Sequence, residues 1–332
     1  MMKWVDEMLA AEKKKGFLVL SFPAIQKMGI TVKELISSSD LQAQAMKIVA
    51  DSTPDAAAAV SMMDLSLEAE AFGAEVRFFD DEVPTVTGSI VNSEEDADAL
   101  QIPEIGAGRT QIYIDAIEKA VDLIQDRPVF AGVIGPFSLA GRLMDVTEAM
   151  IYCYDEPDMV HTVLEKVTDF LIEYINAYKA VGANGVFMAE PLAGLLSPFL
   201  EEEFSTPYVK KIVEATQTDD FLVGYHNCGN STIQQINSIL TNGCRVVHFG
   251  NAIDMEEMTK HIPENIVVMG NVDPAGQFRN GTPESVKAET TAILEKCAKY
   301  PNFVISSGCD IPPMSPWENI DAFFEAVNEF YK

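Results

Sequence analysis

A single (β/α)8 TIM barrel over residues 1–332, with a short helical extension at its N-terminus, is the fold class the sequence predicts. Three observations predict it. Eight short apolar runs follow one another along the chain, each bounded by Gly, Pro, Asn or Asp as buried parallel strands are. Amphipathic segments of helix length separate them. The chain has 332 residues, 48% of them hydrophobic, enough for a large buried core.

The runs are Gly16-Phe17-Leu18-Val19-Leu20-Ser21-Phe22, Ala57-Ala58-Ala59-Val60-Ser61-Met62-Met63, Val129-Phe130-Ala131-Gly132-Val133-Ile134-Gly135 and Gly185-Val186-Phe187-Met188-Ala189-Glu190. They continue with residues 221–226, 245–250, 265–271 and 302–307. Between the third and fourth runs, Met159, Val160, Val163, Leu164, Val167, Phe170, Leu171, Tyr174 and Ile175 repeat at three and four, which predicts one face of a long helix. Ser315-Pro316-Trp317-Glu318 predicts a helix start with Ser315 as N-cap, Pro at the first helical position and Glu318 closing a capping box. Thr282-Pro283-Glu284 and Ser197-Pro198 open helices in the same way.

Composition excludes several functions. The formal net charge is −28, from 23 Lys and Arg against 51 Asp and Glu, so the surface repels nucleic acid and anionic membranes. No apolar stretch approaches the roughly 20 residues of a membrane span. The start, Met1-Met2-Lys3-Trp4-Val5-Asp6-Glu7, carries acids where a signal peptide needs a basic end and an apolar block. The expectation is a cytoplasmic protein. Five cysteines at irregular spacing are not a disulfide framework, and Cys153, Cys244 and Cys297 read as packing residues.

His226 and Cys228 sit in Gly224-Tyr225-His226-Asn227-Cys228-Gly229, at the end of the fifth run. Side chains two apart in a strand point the same way, so both can grip one ion. Cys309 ends the eighth run. One His and two Cys form an N/S set suited to zinc, and three protein ligands leave a fourth position for substrate. Cysteine is also a small buried hydrophobe, so spacing alone leaves packing as the alternative. The predicted fold favours the metal: barrel active sites lie at the C-terminal ends of the strands, where all three residues fall.

From about residue 15 onward the chain resembles the uroporphyrinogen decarboxylase superfamily, and within it the methylcobamide:coenzyme M methyltransferase branch. The resemblance is carried by residues 67–76, by Gly135-Pro136-Phe137-Ser138-Leu139-Ala140 and by Gly270-Asn271-Val272-Asp273-Pro274. The ending Gly308-Cys309-Asp310-Ile311-Pro312-Pro313-Met314-Ser315-Pro316-Trp317-Glu318-Asn319 also carries it. Its most specific element is His-x-Cys with a further Cys some 80 residues on, here 309 − 228 = 81. Decarboxylases lack this signature and have an Arg-rich N-terminal segment, whereas residues 1–30 here contain no Arg.

The resemblance implies zinc on His226, Cys228 and Cys309, a small thiol such as coenzyme M as acceptor, and a methylcobamide on a separate corrinoid protein as donor. A free thiol with pKa about 8.5 is only a few per cent thiolate at neutral pH, and zinc coordination deprotonates it, a gain of roughly 30-fold. Asp64, Glu190 and Asn271 are the expected catalytic residues, with Glu68 and Asp273 expected at the corrinoid. Asp64 lies near the catalytic Asp position of the decarboxylases. Glu190 and His248 are candidate further ligands; Glu190 otherwise partners a helix N-terminus. Glu68 and Glu70 line the mouth or begin a solvated helix, and Asn271 and Asp273 contact the acceptor or fix their loop. Asn227 faces away into packing, and His161 and His261 read as surface. Acidic residues expected just past strand six are replaced by Gly250-Asn251. The superfamily also includes transferases running from a methylated substrate to the corrinoid, the decarboxylases themselves, and homodimers. A corrinoid-binding scaffold with a closed zinc site is the non-catalytic alternative.

Overall fold

The computed structural model describes residues 1–332. Nine strands form: β1 (Ala59–Val60), β2 (Glu75–Arg77), β3 (Thr85–Thr87), β4 (Val129–Ile134), β5 (Gly185–Ala189), β6 (Leu222–Asn227), β7 (Val246–Phe249), β8 (Val267–Val272) and β9 (Phe303–Ser307). All but β2 and β3 form one parallel sheet in the order β1-β4-β5-β6-β7-β8-β9. Helices follow the strands, as parallel connections require. The expected first strand, 16–22, closes the ring with very little ladder. Phe17 bridges Ser306 in parallel, and Ala57 N–H donates to Gly16 O at 2.9 Å. Beyond that, Val19 O accepts from Ile311 N–H at 3.0 Å, and Ser21 Oγ donates to Val60 O at 2.6 Å. Loop and side-chain bonds thus replace the ladder on both sides of this staff.

The alternation along each strand builds the barrel interior. On β6, Leu222 and His226 face inward while Val223 and Tyr225 pack outward against the helices. Trp4, on the N-terminal helix Met2–Ala10, sits 5.4 Å from Phe130 and helps seal the bottom. Above it Phe17, Phe130 and Phe187 form an aromatic layer, with Phe17 and Phe187 5.0 Å apart. His226 and His248 come next, paired directly across β6 and β7. The inside of the barrel therefore passes from apolar to polar towards its C-terminal mouth.

The long helix predicted between strands is Pro157–Ala180, with every apolar residue of the repeat buried. Ser197 and Thr282 cap their helices as expected, Thr282 in a capping box closed by Ser285 rather than by an acid. Ser315 does not cap. The helix runs Trp317–Phe330 from Pro316, and Ser315 is buried in a turn whose carbonyls, Pro313 O and Ser315 O, accept from Gln26 Nε2. The antiparallel pair β2-β3 is absent from the predicted runs; each strand has three residues, and one half-buried valine between exposed polar neighbours is too short a pattern to mark a strand. No helix is long and apolar enough to cross a membrane.

Candidate metal centre

One ring nitrogen of His226 and the sulfurs of Cys228 and Cys309 lie within 4.8 Å of one another. A tetrahedral zinc with bonds of about 2.0–2.3 Å needs donor separations only slightly shorter. The histidine is prepared for this. Its Nδ1 is 2.7 Å from His248 Nδ1, and His248 Nε2 is 2.8 Å from Ser306 Oγ. His226 Nε2 is buried with no hydrogen-bond partner. A consistent assignment puts the proton of His226 on Nδ1, donating to His248, which donates from Nε2 to Ser306. Burial holds the His248 ring well below the usual imidazole range, so it is neutral and carries a single ring proton. In that assignment His226 Nε2 presents its lone pair beside the two sulfurs, the donor set zinc takes.

The thiols are polarised as well. Cys228 is held far below the ordinary thiol range, chiefly by a hydrogen bond from Cys309. Cys309 is pushed up by the same bond and by burial. One proton shared between two sulfurs is a pair ready to lose it to a cation.

Gly250 explains the missing acidic residue after strand six. A Cβ there would lie 2.7 Å from both Cα and Cβ of Cys228, so any side chain at this position displaces a ligand. Gly250→Ala is expected to weaken zinc at least tenfold in competition with a chromogenic chelator. Unchanged affinity would show that Cys228 can yield without cost. His248→Ala is expected to cost 10–100-fold in metal affinity, the usual effect of losing a ligand's orienting partner, while leaving all three ligands in place. The same competition titration measures it.

A cavity of about 290 Å³ opens on the triad. Its wall includes Phe22, Met63, Leu65, Pro191, Asp310 and Ile311, and it contains no Lys or Arg. In the sequence Asp310 belongs to the segment Gly308–Asn319. Its Oδ2 accepts from Met63 N–H at 2.9 Å, and burial pushes the carboxyl up to about 7.

The other expected site residues are placed elsewhere. Asp64 is not in the cavity wall. Its Oδ2 accepts from Arg109 Nη1 at 2.5 Å and Tyr113 OH at 2.7 Å, and its Oδ1 accepts from Ser66 Oγ at 2.6 Å. Arg109 also pairs with Glu70 at 2.6 Å. Glu68 does not line the mouth either: it is buried, accepts from Ile134 N–H at 3.1 Å, and is raised to about 8 by desolvation. Glu190 stands outside the ligand cluster. Its oxygens accept from Phe137 and Ser138 N–H at 3.2 and 2.6 Å, anchoring the N-terminus of helix Pro136–Met144 as a carboxylate does; burial still raises it to about 7.

Asn271 donates to Gly250 O and Ile253 O at 2.9 and 2.6 Å, tying down the loop behind Cys228. Asp273 caps the turn Pro274–Arg279 through Ala275 and Gly276 N–H. Asn227 faces outward, where its Oδ1 accepts from Gly229 N–H at 2.9 Å. His161 is half-buried against Phe204 and Tyr208 rather than fully at the surface; His261 is exposed. Cys153, Cys244 and Cys297 are buried packing residues.

The family model described as uroporphyrinogen decarboxylase (URO-D) matches residues 18–330. The chain belongs to the uroporphyrinogen decarboxylase family. Among similar members, the methylcobamide:CoM methyltransferase MtbA of Methanosarcina mazei is 29% identical over 276 residues, covering 80% of this chain and 78% of that protein. The uroporphyrinogen decarboxylase of Coxiella burnetii is 28% identical over 288 residues, covering 82% and 77%. A solved methyltransferase from Methanosarcina mazei superposes with a TM-score of 0.89 at 23% identity, covering 100% of this chain and 99% of that one. Identity to the two kinds of URO-D relative is nearly equal, so the site chemistry decides between them.

Proposed function

We propose that this methyltransferase uses zinc held by His226, Cys228 and Cys309 to move a methyl group from a methylated corrinoid, carried on a separate protein, to a small thiol. The observation that carries the reading is the His226–Cys228–Cys309 triad, with its buried unpartnered nitrogen and paired thiols, at the wall of a cavity sized for a small molecule. When bound, zinc lowers the pKa of a coordinated thiol and keeps it as thiolate at neutral pH.

The chain's own residues do the rest. His248 and Ser306 fix the His226 tautomer, and Gly250 admits Cys228 to its position. The apolar wall excludes water from the acceptor sulfur, which aids a charge-dispersing transfer. The acceptor thiol gives its proton to solvent, and its sulfur lone pair forms the new S–CH3 bond. The cobalt–carbon bond breaks with both electrons remaining on the corrinoid. A cavity of about 290 Å³ admits the acceptor but not a corrinoid ring, which has to approach from outside. Exposed Val83, Leu195, Phe199 and Met314 support a docked carrier, because they lie on segments leaving the C-terminal ends of the strands.

The cavity argues against decarboxylation of a tetrapyrrole. Such a substrate brings several carboxylates, and no basic side chain lines the wall to receive them. Zinc-loaded protein incubated with methylcobalamin is expected to demethylate it only when a thiol is added, as followed by the cobalamin spectrum. Uroporphyrinogen turnover, or failure of every thiol tested, would overturn the assignment.

A further inference from the structure

We propose that Arg109 is a positioning residue for the acceptor cavity: from outside the wall it fixes two segments that form part of that wall. This rests on the thiol-methylation reading above and adds a residue that sets how tightly the acceptor is held. The first segment is 63–66. Met63 and Leu65 line the cavity, whereas Asp64 and Ser66 are absent from the wall and bond to Arg109 instead. Arg109 Nη1 donates to Asp64 Oδ2 at 2.5 Å, and Nη2 donates to Ser66 Oγ at 3.1 Å. Its Nε donates to Glu70 Oε2 at 2.6 Å, on the helix Leu67–Ala71 that continues the segment. At the other end Met63 N–H donates to Asp310 Oδ2 at 2.9 Å, beside the ligand Cys309. The segment is thus spanned between Arg109 and the loop that carries a metal ligand.

The second segment is the β2-β3 hairpin. Four of its six strand residues are exposed, so it has little packing of its own. The guanidinium carbon of Arg109 lies 5.1 Å from the ring centroid of Phe78, the residue that follows β2. Val83, two residues before β3, is part of the cavity wall. A guanidinium is suited to this double task. Its planar fork directs separate N–H groups to three side chains while its charge rests over an aromatic ring, and an ammonium is a point charge without the fork. The Arg109 side chain is 10% exposed, so solvent screens these contacts little. Arg109, Asp64, Ser66 and Glu70 all stand outside the wall, so any effect on the acceptor passes through Met63, Leu65 and Val83.

Arg109→Lys tests this, because it keeps a positive charge beside the buried Asp64 carboxylate. Methylcobalamin demethylation by zinc-loaded protein is measured against 2-mercaptoethanol and 2-mercaptoethanesulfonate. KM for both thiols is expected to rise by about tenfold, with kcat within about twofold, the pattern of lost binding rather than lost chemistry. Bound zinc is expected to stay at about one per chain, since all three ligands remain. Ser66→Ala is expected to raise KM about threefold in wild type and to add nothing in Arg109→Lys, because its hold on the wall runs through the same guanidinium.

An unchanged KM in Arg109→Lys, a loss of zinc, or additive effects of the two substitutions would overturn the proposal. Should Arg109→Lys not fold, Ser66→Ala and Phe78→Leu decide: a raised KM with zinc retained supports the role of Arg109, and an unchanged KM in both overturns it. Calorimetric titration of the same thiols into zinc-loaded protein needs no turnover. A Kd weakened about tenfold in Arg109→Lys supports the proposal even if no thiol is methylated, in which case the methyl-transfer reading alone fails. Equal Kd values overturn the proposal and leave thiol methylation standing.

Discussion

Cys309→Ala is expected to lower bound zinc from about one per chain to a small fraction and kcat/KM for methylcobalamin demethylation about 3,000-fold. Two losses multiply. Without the metal the acceptor thiol returns to a few per cent ionised, roughly a 30-fold deficit. Without a fixed sulfur the in-line geometry is lost, which costs on the order of 100-fold. The fold should survive, because Cys309 sits at the cavity wall beyond β9 and outside the hydrophobic core. Unfolding midpoints of the metal-free wild type and of the variant are therefore expected to coincide. Turnover retained at wild-type level by a metal-free variant would exclude the zinc-thiolate account.

Asp64→Ala is expected to do the opposite, costing stability while sparing the metal. The Asp64 carboxylate is fully buried and the Arg109 side chain is only 10% exposed. Removing one member of a buried, hydrogen-bonded pair typically costs about 3–5 kcal/mol, because the other charge is left without compensation. Glu70 keeps a second contact to Arg109, which places the loss towards the lower end. Denaturant unfolding should show the loss as a lower midpoint, and zinc content of the folded protein should not change. If instead Asp64→Ala unfolds like wild type and loses activity alone, Asp64 acts on the substrate, as it would in a decarboxylase.

The contrast between these two residues shows what could be read in the chain. The triad was legible because its geometry follows from local rules. His226 and Cys228 share a strand face, and the barrel topology brings the end of β9 to the same mouth. The ion pair of Asp64 was not legible because its partner Arg109 is 45 residues away, on a turn that no periodicity connects to it. Glu190 was legible only as one of two options. Its actual partners, the amides of Phe137 and Ser138, belong to the helix after the neighbouring strand rather than to its own.

Strand boundaries failed for a related reason. Residues 16–22 have the composition of a buried strand, and they do occupy the strand position. Their bonds go to the Ile311 loop and to side chains such as Ser307 Oγ, which composition cannot foresee. Asn319, quoted only as part of the C-terminal motif, donates to the carbonyls of Gln277, Phe278 and Gly281. It thereby fixes the turn that follows β8. Asp310 was in plain sight in that same motif. Its bond from Met63 N–H joins residues 247 apart in the chain, so no sequence signal could have singled it out.

The central claim is an open zinc site that receives the acceptor's sulfur, and X-ray absorption at the zinc edge tests it most directly. The account predicts one nitrogen and two sulfur neighbours together with a lighter atom in the resting protein. Adding a thiol should replace the lighter atom with a third sulfur at about 2.3 Å. A shell that already holds four protein donors and does not change when thiol is added would contradict it.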